Sequence, residues 1–198
     1  MFICRRNKIM VENFKTEIFK LIDLTEAEWL VFSKSLITKH YKKGDFFIQE
    51  GNICKYIGFI DKGFFNFFYR VKGVEHVRGF FYPKELISNY TSFLLMNESK
   101  FNIQALEDSS VTLMLREDLV ELYTKIPKVE EFSRLVVENL YIEVSDKYES
   151  FFLKTAEERY LDFIINKPKF SEKIPQYMIA SYLGITPEAL SRIKKRIG

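Results

Sequence analysis

Apolar residues change their spacing several times along the chain, and each change marks a different kind of structure. From about Phe14 to Lys34 the segment EIFKLIDLTEAEWLVFSKSL has helical spacing, and Thr25 followed three residues later by Glu28 is the pattern of a reciprocal N-terminal cap. A short helix and then a second one starting after Thr25 are predicted, both as packing material. Between about Thr38 and Met114 the pattern turns to short apolar or aromatic runs. They are broken by Lys43-Gly44-Asp45, Glu50-Gly51-Asn52, Asp61-Lys62-Gly63, Val71-Lys72-Gly73 and Tyr82-Pro83-Lys84. Turn signals at roughly 8- to 12-residue intervals predict an antiparallel β-sandwich or roll, and the run GFFNFFYR suits strands that fill a small barrel.

After Arg116-Glu117-Asp118 a short helix is predicted, and Pro127 opens a long one from about Val129 to Leu153. In it Val137, Tyr141, Val144, Tyr148 and Phe151 are spaced four, three, four, three, which is a coiled-coil seam over about two heptads. Phe132, Leu135, Val136 and Leu140 face another way and are expected to pack on the strands. Such a seam can also be an intrachain core, but two apolar faces on one helix favour one for its own domain and one for a partner.

The tail IPQYMIASYLGITPEALSRIKKR has the spacing of a helix-turn-helix. Ile179, Leu183, Ile185, Leu190 and Ile193 fall where two short helices bury one face against each other, and Ala180 sits at their close approach. Gly184 occupies the turn, where a positive φ is cheap only for glycine. Thr186 then supplies a capping oxygen, Pro187 a first helical residue without a needless N–H, and Glu188 a negative charge near the positive helix end. Glu188, Ser191, Arg192 and Lys195 lie opposite Leu190 and Ile193, so a polar face is free to enter a groove. An ordinary amphipathic helix pair would share the periodicity. Cap, turn glycine, small Ala180 and the basic run Lys194-Lys195-Arg196 agree on double-stranded DNA as the partner. Because such a motif usually reads a two-fold repeated site, the seam is expected to join a homodimer.

Charge adds modest support. The 44 residues from Thr155 onward hold eight Lys/Arg against five Asp/Glu, whereas the first 154 hold 22 of each, so the whole net charge of +3 lies in the tail. Only Cys4 and Cys54 occur, without the paired spacing of a zinc site, iron–sulfur cluster or disulfide framework. No run of about 18 apolar residues appears, and MFICRRNKIM is interrupted too early for a signal peptide, so a cytoplasmic protein is expected. Met10 could be an alternative start, and the first nine residues are expected to be weakly ordered.

The order of roll, long helix and small C-terminal helix-turn-helix resembles the Crp/Fnr family of bacterial transcription regulators. YKKGDFFIQEGN at Tyr41 to Asn52 is similar to that family's glycine-bounded strand pair, GFIDKG at Gly58 to Gly63 to its next strand and turn, and IQALEDSSV at Ile103 to Val111 to its Ala-x-Glu-Asp strand opening. TAEERYLDFI at Thr155 to Ile164 is similar to the segment opening the DNA-binding domain, with Arg159 in the usual arginine position. The resemblance implies an α+β fold. An N-terminal unit, 1–128, holds helices and an antiparallel, jelly-roll-like β-roll that senses a signal; 129–154 is the dimerisation helix and 155–198 the helix-turn-helix domain. It places base reading on Glu188 and Arg192, and phosphate contacts on Gln176, Thr186, Ser191, Lys194 and Lys195, with RNA polymerase as a further partner that such regulators allow. Pro187 replaces an arginine often used for a base, and little room follows for the β-hairpin wing many relatives carry.

The effector pocket departs from the family pattern. Where cyclic-nucleotide binders place a Gly-Glu pair and an Arg, this sequence has Ser88-Asn89 and Ser99, with Lys100 the nearest cation. A cyclic phosphate needs a cation or several N–H donors, which disfavours cyclic AMP and leaves the effector, if there is one, unidentified. No cofactor is expected: two cysteines are too few for an iron–sulfur sensor, and His40 and His76 are the only histidines for haem or a cupin-type metal. Catalysis therefore has almost no candidates. The competing reading is a ligand-binding or protein-interaction module on the same fold without sequence-specific DNA binding; Arg192, Lys194, Lys195 and Arg196 speak against it.

Overall fold

The computed structural model describes residues 8–197. Cys4 and most of the opening segment expected to be weakly ordered lie outside the described residues. Helices α1 (Lys8–Ile18) and α2 (Glu26–Ser33) lead into β1 (Leu36–Tyr41), β2 (Phe46–Ile48), β3 (Tyr56–Lys62), β4 (Phe65–Val71), β5 (Val74–Phe81) and β6 (Leu86–Ile87). The short α3 (Tyr90–Leu95) precedes β7 (Asn102–Ala105) and β8 (Ser109–Leu115). Then come α4 (Arg116–Lys125), α5 (Lys128–Leu153), α6 (Ala156–Asn166), α7 (Pro168–Ser171), α8 (Gln176–Leu183) and α9 (Pro187–Ile197). Thr25 caps α2 through the reciprocal bonds its spacing predicts, and Thr155 with Glu158 caps α6 in the same way.

The strands form two antiparallel four-stranded sheets, ordered β1-β8-β3-β6 and β2-β7-β4-β5. They stack as a jelly-roll-like pair rather than closing into the small barrel that the aromatic runs suggested. Gly44, Gly51, Gly63 and Gly73 all adopt positive φ at turns flagged in the sequence. At Gly63 an added Cβ would also lie 2.0 Å from Ser109 Oγ, so this turn admits no side chain.

Strand alternation divides the apolar residues among three cores. Between the sheets Ile60, Phe65, Ile103, Val111 and Leu113 interleave. On the outer face of the first sheet, Phe59 and Met114 meet Phe14, Trp29, Phe32, Leu119, Val129 and Phe132 from α1, α2, α4 and the start of α5. On the outer face of the second sheet, Phe64, Phe68, Val77 and Tyr82 meet Tyr160, Phe163, Ile174, Met178 and Leu183 from α6 to α8. The C-terminal helices are thus docked on the roll. Full burial of each large side chain is worth about 1.5–3 kcal/mol, so this docking is a stability element in its own right.

Polar contacts orient the docked unit. β5 is an edge strand, and Val77 N–H donates to Ser181 Oγ of α8 at 2.9 Å, which closes part of the open edge. Lys167 pairs with Glu85 at 2.6 Å and lies 4.2 Å from the Tyr82 ring centroid, while Lys173 pairs with Glu107 at 3.0 Å. From α5, Lys147 donates to the Arg78 carbonyl of β5 and lies 4.1 Å from the Tyr182 ring centroid of α8. It touches roll and tail together. Burial, and next the Arg78 guanidinium, push the Lys147 pKa down to about 7. Asn66, by alternation on the same outer face as Phe64 and Phe68, is wholly buried, and neither side-chain polar atom has a partner among the described residues.

α5 contains 26 residues, a length of about 39 Å at 1.5 Å per residue, and runs from the core over the first sheet to the tail over the second. Phe132 is buried there and Leu135 and Val136 half-buried, but Leu140 is exposed. The expectation for Leu140 is corrected: three residues from Val137 and four from Val144, it sits on the shoulder of the seam.

Two stability predictions follow from the docking face. Asn66→Val removes two unsatisfied polar atoms at little change in shape, and urea unfolding is expected to show a gain of about 1–3 kcal/mol. The folded state lowers the Lys147 pKa, so the unfolded chain binds more protons between about pH 7 and the ordinary lysine range; the Lys147 contribution therefore raises stability as pH climbs through that window. Unfolding midpoints measured from pH 6.5 to 9.5 are expected to rise less steeply in Lys147→Met than in the parent chain.

Candidate nucleic-acid interface

α8 and α9 are joined by a turn whose geometry is set locally. Gly184 has φ +72°, and Ile185 N–H returns to the Ala180 carbonyl at 3.0 Å, closing the first helix. Thr186 Oγ1 then accepts from Ala189 N–H at 3.2 Å, and α9 begins at Pro187, as the cap pattern predicts. Ala180 is completely buried where the helices meet, and Leu190 and Ile193 are buried beneath α9. Their burial fixes which face of α9 looks outward.

That outward face carries Glu188, Ser191, Arg192 and Lys195, all exposed, with exposed Lys194 at its flank toward α8. Ser191, Arg192 and Lys195 make no hydrogen bond or ion pair to another described residue, so their donors are free for a ligand. Backbone and Thr186 hydrogen bonds, with the nearby Arg192 charge, hold the Glu188 carboxyl below its usual range. It stays an acceptor at neutral pH. Lys194 Nζ donates to Gln176 Oε1 at 3.2 Å, which brings the start of α8 beside the basic half of α9. Arg196 is instead paired with Glu157 at 2.7 Å.

Arg159 ties this pair of helices to α5. Its guanidinium donates to the Lys154 carbonyl at 2.6 Å and to the Leu183 carbonyl at 3.0 Å, and lies 4.7 Å from the Phe151 ring centroid. The same Phe151 ring would meet a Cβ added at Gly184 at 3.2 Å. The end of the long helix and the turn between α8 and α9 are therefore in contact. Lys147, Lys167, Lys173 and Ser181, which complete the positioning of this unit, have no signature in the sequence because their partners lie far away along the chain.

The seam residues face solvent. Val137 is 37% exposed, Tyr141 73%, Val144 60%, Tyr148 67% and Phe151 41%, so an apolar stripe runs along α5 opposite its buried Phe132 side. Phe152 extends the stripe, with its ring 4.9 Å from that of Tyr148.

The residues aligned with an effector pocket are largely occupied with one another. Asn89 Nδ2 donates to Ser99 Oγ at 2.6 Å, Ser99 Oγ to the Phe101 carbonyl at 2.5 Å, and Asn89 Oδ1 accepts from Ser92 N–H at the start of α3. Asn89 and Ser99 are both buried. Half-buried Ser88 donates to the Tyr56 carbonyl at 2.9 Å and lies 3.5 Å from the buried Cys54 sulfur. Lys100 points to solvent. Next to this knot Phe67, Phe81, Phe101 and Tyr69 pack ring on ring. His40 and His76 are exposed, and no group of metal-binding side chains occurs among the described residues. No described helix is long and apolar enough to cross a membrane.

Comparison with known proteins matches residues 38–125 to the family described as the cyclic nucleotide-binding domain. No curated protein sequence gives a significant match. Among solved structures, the chain is similar to FixK2 from Bradyrhizobium japonicum, with 18% identity, TM-score 0.70, and coverage of 82% of this chain and 84% of that one. A protein assigned to the Crp/Fnr family of transcriptional regulators from Eubacterium rectale matches with 21% identity, TM-score 0.67, and coverage of 88% and 83%. The catabolite activator protein of Thermus thermophilus matches with 20% identity, TM-score 0.54, and coverage of 91% and 85%. Residues 38–125 therefore match the cyclic nucleotide-binding domain family, and they sit within an α+β fold similar to those of solved Crp/Fnr-type structures.

Proposed function

We propose that this chain is a DNA-binding transcription regulator of Crp/Fnr type, a homodimer that reads a two-fold site with α9. The observation that carries the reading is the division of α9: Leu190 and Ile193 anchor it while Glu188, Ser191, Arg192 and Lys195 are exposed on the opposite side. The shared fold and the exposed stripe on α5 support it. Arg192 can donate two hydrogen bonds to guanine O6 and N7, and Glu188 can accept from cytosine N4. Gln176, Thr186, Ser191, Lys194 and Lys195 contact phosphates and set register.

In this reading 1–128 is the sensor unit, 129–154 the dimerisation helix and 155–198 the DNA-binding unit. A signal acts by favouring one dimer geometry over another, with no catalytic step. Ser88, Asn89, Ser99 and Lys100 mark where the family holds its effector, but Asn89 and Ser99 are neutral and bonded to each other, and Lys100 points to solvent. DNA as the partner places the protein in the cytoplasm, with RNA polymerase as a further partner.

Fluorescence anisotropy with duplexes of selected sequence tests the reading. Arg192→Ala is expected to cost about 1–3 kcal/mol at the specific site and to relax base choice there. Lys195→Ala is expected to weaken all sequences alike and to make the salt dependence shallower. If both variants bind as the parent does at every salt concentration, α9 is not the reading helix. Combining Tyr141→Asp with Tyr148→Asp places like charges along the seam. Sedimentation is expected to show a monomer, and affinity for a two-fold site to fall by about 100-fold or more as the second contact is lost.

A further inference from the structure

We propose that the hairpin of β4 and β5 adds a phosphate-contacting site for duplex DNA, made by Lys72 at its tip. The proposal rests on α9 as the helix that enters the groove, and it brings to that face a part of the roll that lies far away in the chain.

The position of the hairpin follows from how β5 lies along α8. Burial, and next the Glu75 carboxylate, raise the Tyr177 pKa, so these two side chains are neighbours. Val77 N–H donates to Ser181 Oγ at 2.9 Å, and the Phe80 ring lies 5.5 Å from that of Tyr182. The contacts advance together along both elements, so strand and helix run side by side in the same direction. At about 3.4 Å per residue, β5 and its turn reach roughly 14 Å back from Val77 to Gly73. At about 1.5 Å per residue, α8 reaches only about 7.5 Å back from Ser181 to its first residue, Gln176. The tip therefore overhangs the start of α8. Gln176 accepts from Lys194 at 3.2 Å, which puts that start beside the basic half of α9. In a helix-turn-helix the first helix crosses the phosphate backbone while the second enters the groove, so a group that projects past the start of α8 stands over a phosphate strand.

The residue at the tip is suited to charge and poorly suited to its backbone. Val71 pairs with Val74, which leaves Lys72 and Gly73 as a two-residue turn with φ of +51° and +81°. Glycine, asparagine or aspartate fills such a turn most cheaply, so nothing in the local conformation calls for lysine. Lys72 is exposed and makes no hydrogen bond or ion pair to any described residue. Arg70 lies 5.7 Å from the Phe68 ring centroid and is paired with Glu75 at 2.9 Å, so these two charges offset each other. The uncompensated charge of the hairpin tip is the Lys72 ammonium. A single mobile ammonium over a phosphate adds affinity and register without reading bases.

Lys72→Asn tests the contact in the full chain, because asparagine takes up positive φ more readily than lysine and the turn is kept while the charge is removed. Its unfolding midpoint is expected to equal or exceed that of the parent. In fluorescence anisotropy over a range of salt, its affinity for every duplex is expected to fall about three- to ten-fold at low salt, with the dependence of log Kd on log salt shallower by about one per protomer and base preference unchanged. Lys72→Arg is expected to keep the parent affinity and slope. Lys55→Asn removes the same charge from an exposed position just before β3, beside the start of α4, and is expected to change affinity less than about two-fold. If Lys72→Asn loses no more affinity than Lys55→Asn, or if Lys72→Arg loses as much as Lys72→Asn, the hairpin contact is overturned; a loss in Arg192→Ala then still upholds α9. If the parent chain binds no duplex at any salt concentration, the reading by α9 fails and this contact fails with it.

Discussion

The outer face of the second sheet must be covered, and the rest of the architecture follows from that requirement. Phe64, Phe68, Val77 and Phe80 give it an aromatic and aliphatic surface that an antiparallel sheet facing water would replace with polar residues. Its last strand, β5, also leaves an open row of backbone donors and acceptors. α6 to α8 answer both needs, with Tyr160, Phe163, Met178 and Leu183 over the face and Ser181 on the edge. The C-terminal helices are therefore not a bead on a string. Their position is part of the roll's own stability, and anything that loosens the docking exposes apolar surface and strand edge together.

α5 then acts as the spine between two independent cores. Its start is buried with α1, α2 and α4, while Lys147 and Phe151 near its end touch the tail. The exposed stripe from Val137 to Phe151 lies between these anchors. Arg159 links the last turn of the spine to the carbonyl of Leu183, one residue before the turn glycine. The end of α5 is thus joined to the turn by hydrogen bonds and ring contacts rather than by a flexible linker.

How much of this was legible in the sequence depends on how local each constraint is. The turn of the helix-turn-helix could be read because Gly184, Thr186 and Pro187 each solve a problem within a few residues of themselves. Strand positions were legible through their turns, since Gly44, Gly51, Gly63 and Gly73 need backbone that other residues adopt at a cost. Leu140 was legible too, by helical angle, but its apolar character alone drew it toward the wrong face. The packing of the two sheets was not, because aromatic runs fill a sandwich and a barrel equally well. Nor was the Asn89–Ser99 bond, which turns residues aligned with a pocket into internal structure. Lys147 was the least readable: its partner carbonyl is 69 residues away, and nothing near it in sequence shows that the ammonium will be enclosed.

Two polar groups in this docking face bear on how tightly the tail is held. A wholly apolar interface of this size would lock it, yet Asn66 is buried without partners and the Lys147 ammonium sits where burial disfavours its charge. Each costs free energy in the docked arrangement and regains water when the interface opens. Against them stand the ion pairs of Lys167 and Lys173, exposed enough that salt screens them. The docking of the C-terminal unit is therefore a balance between apolar burial on one side and unsatisfied polarity on the other.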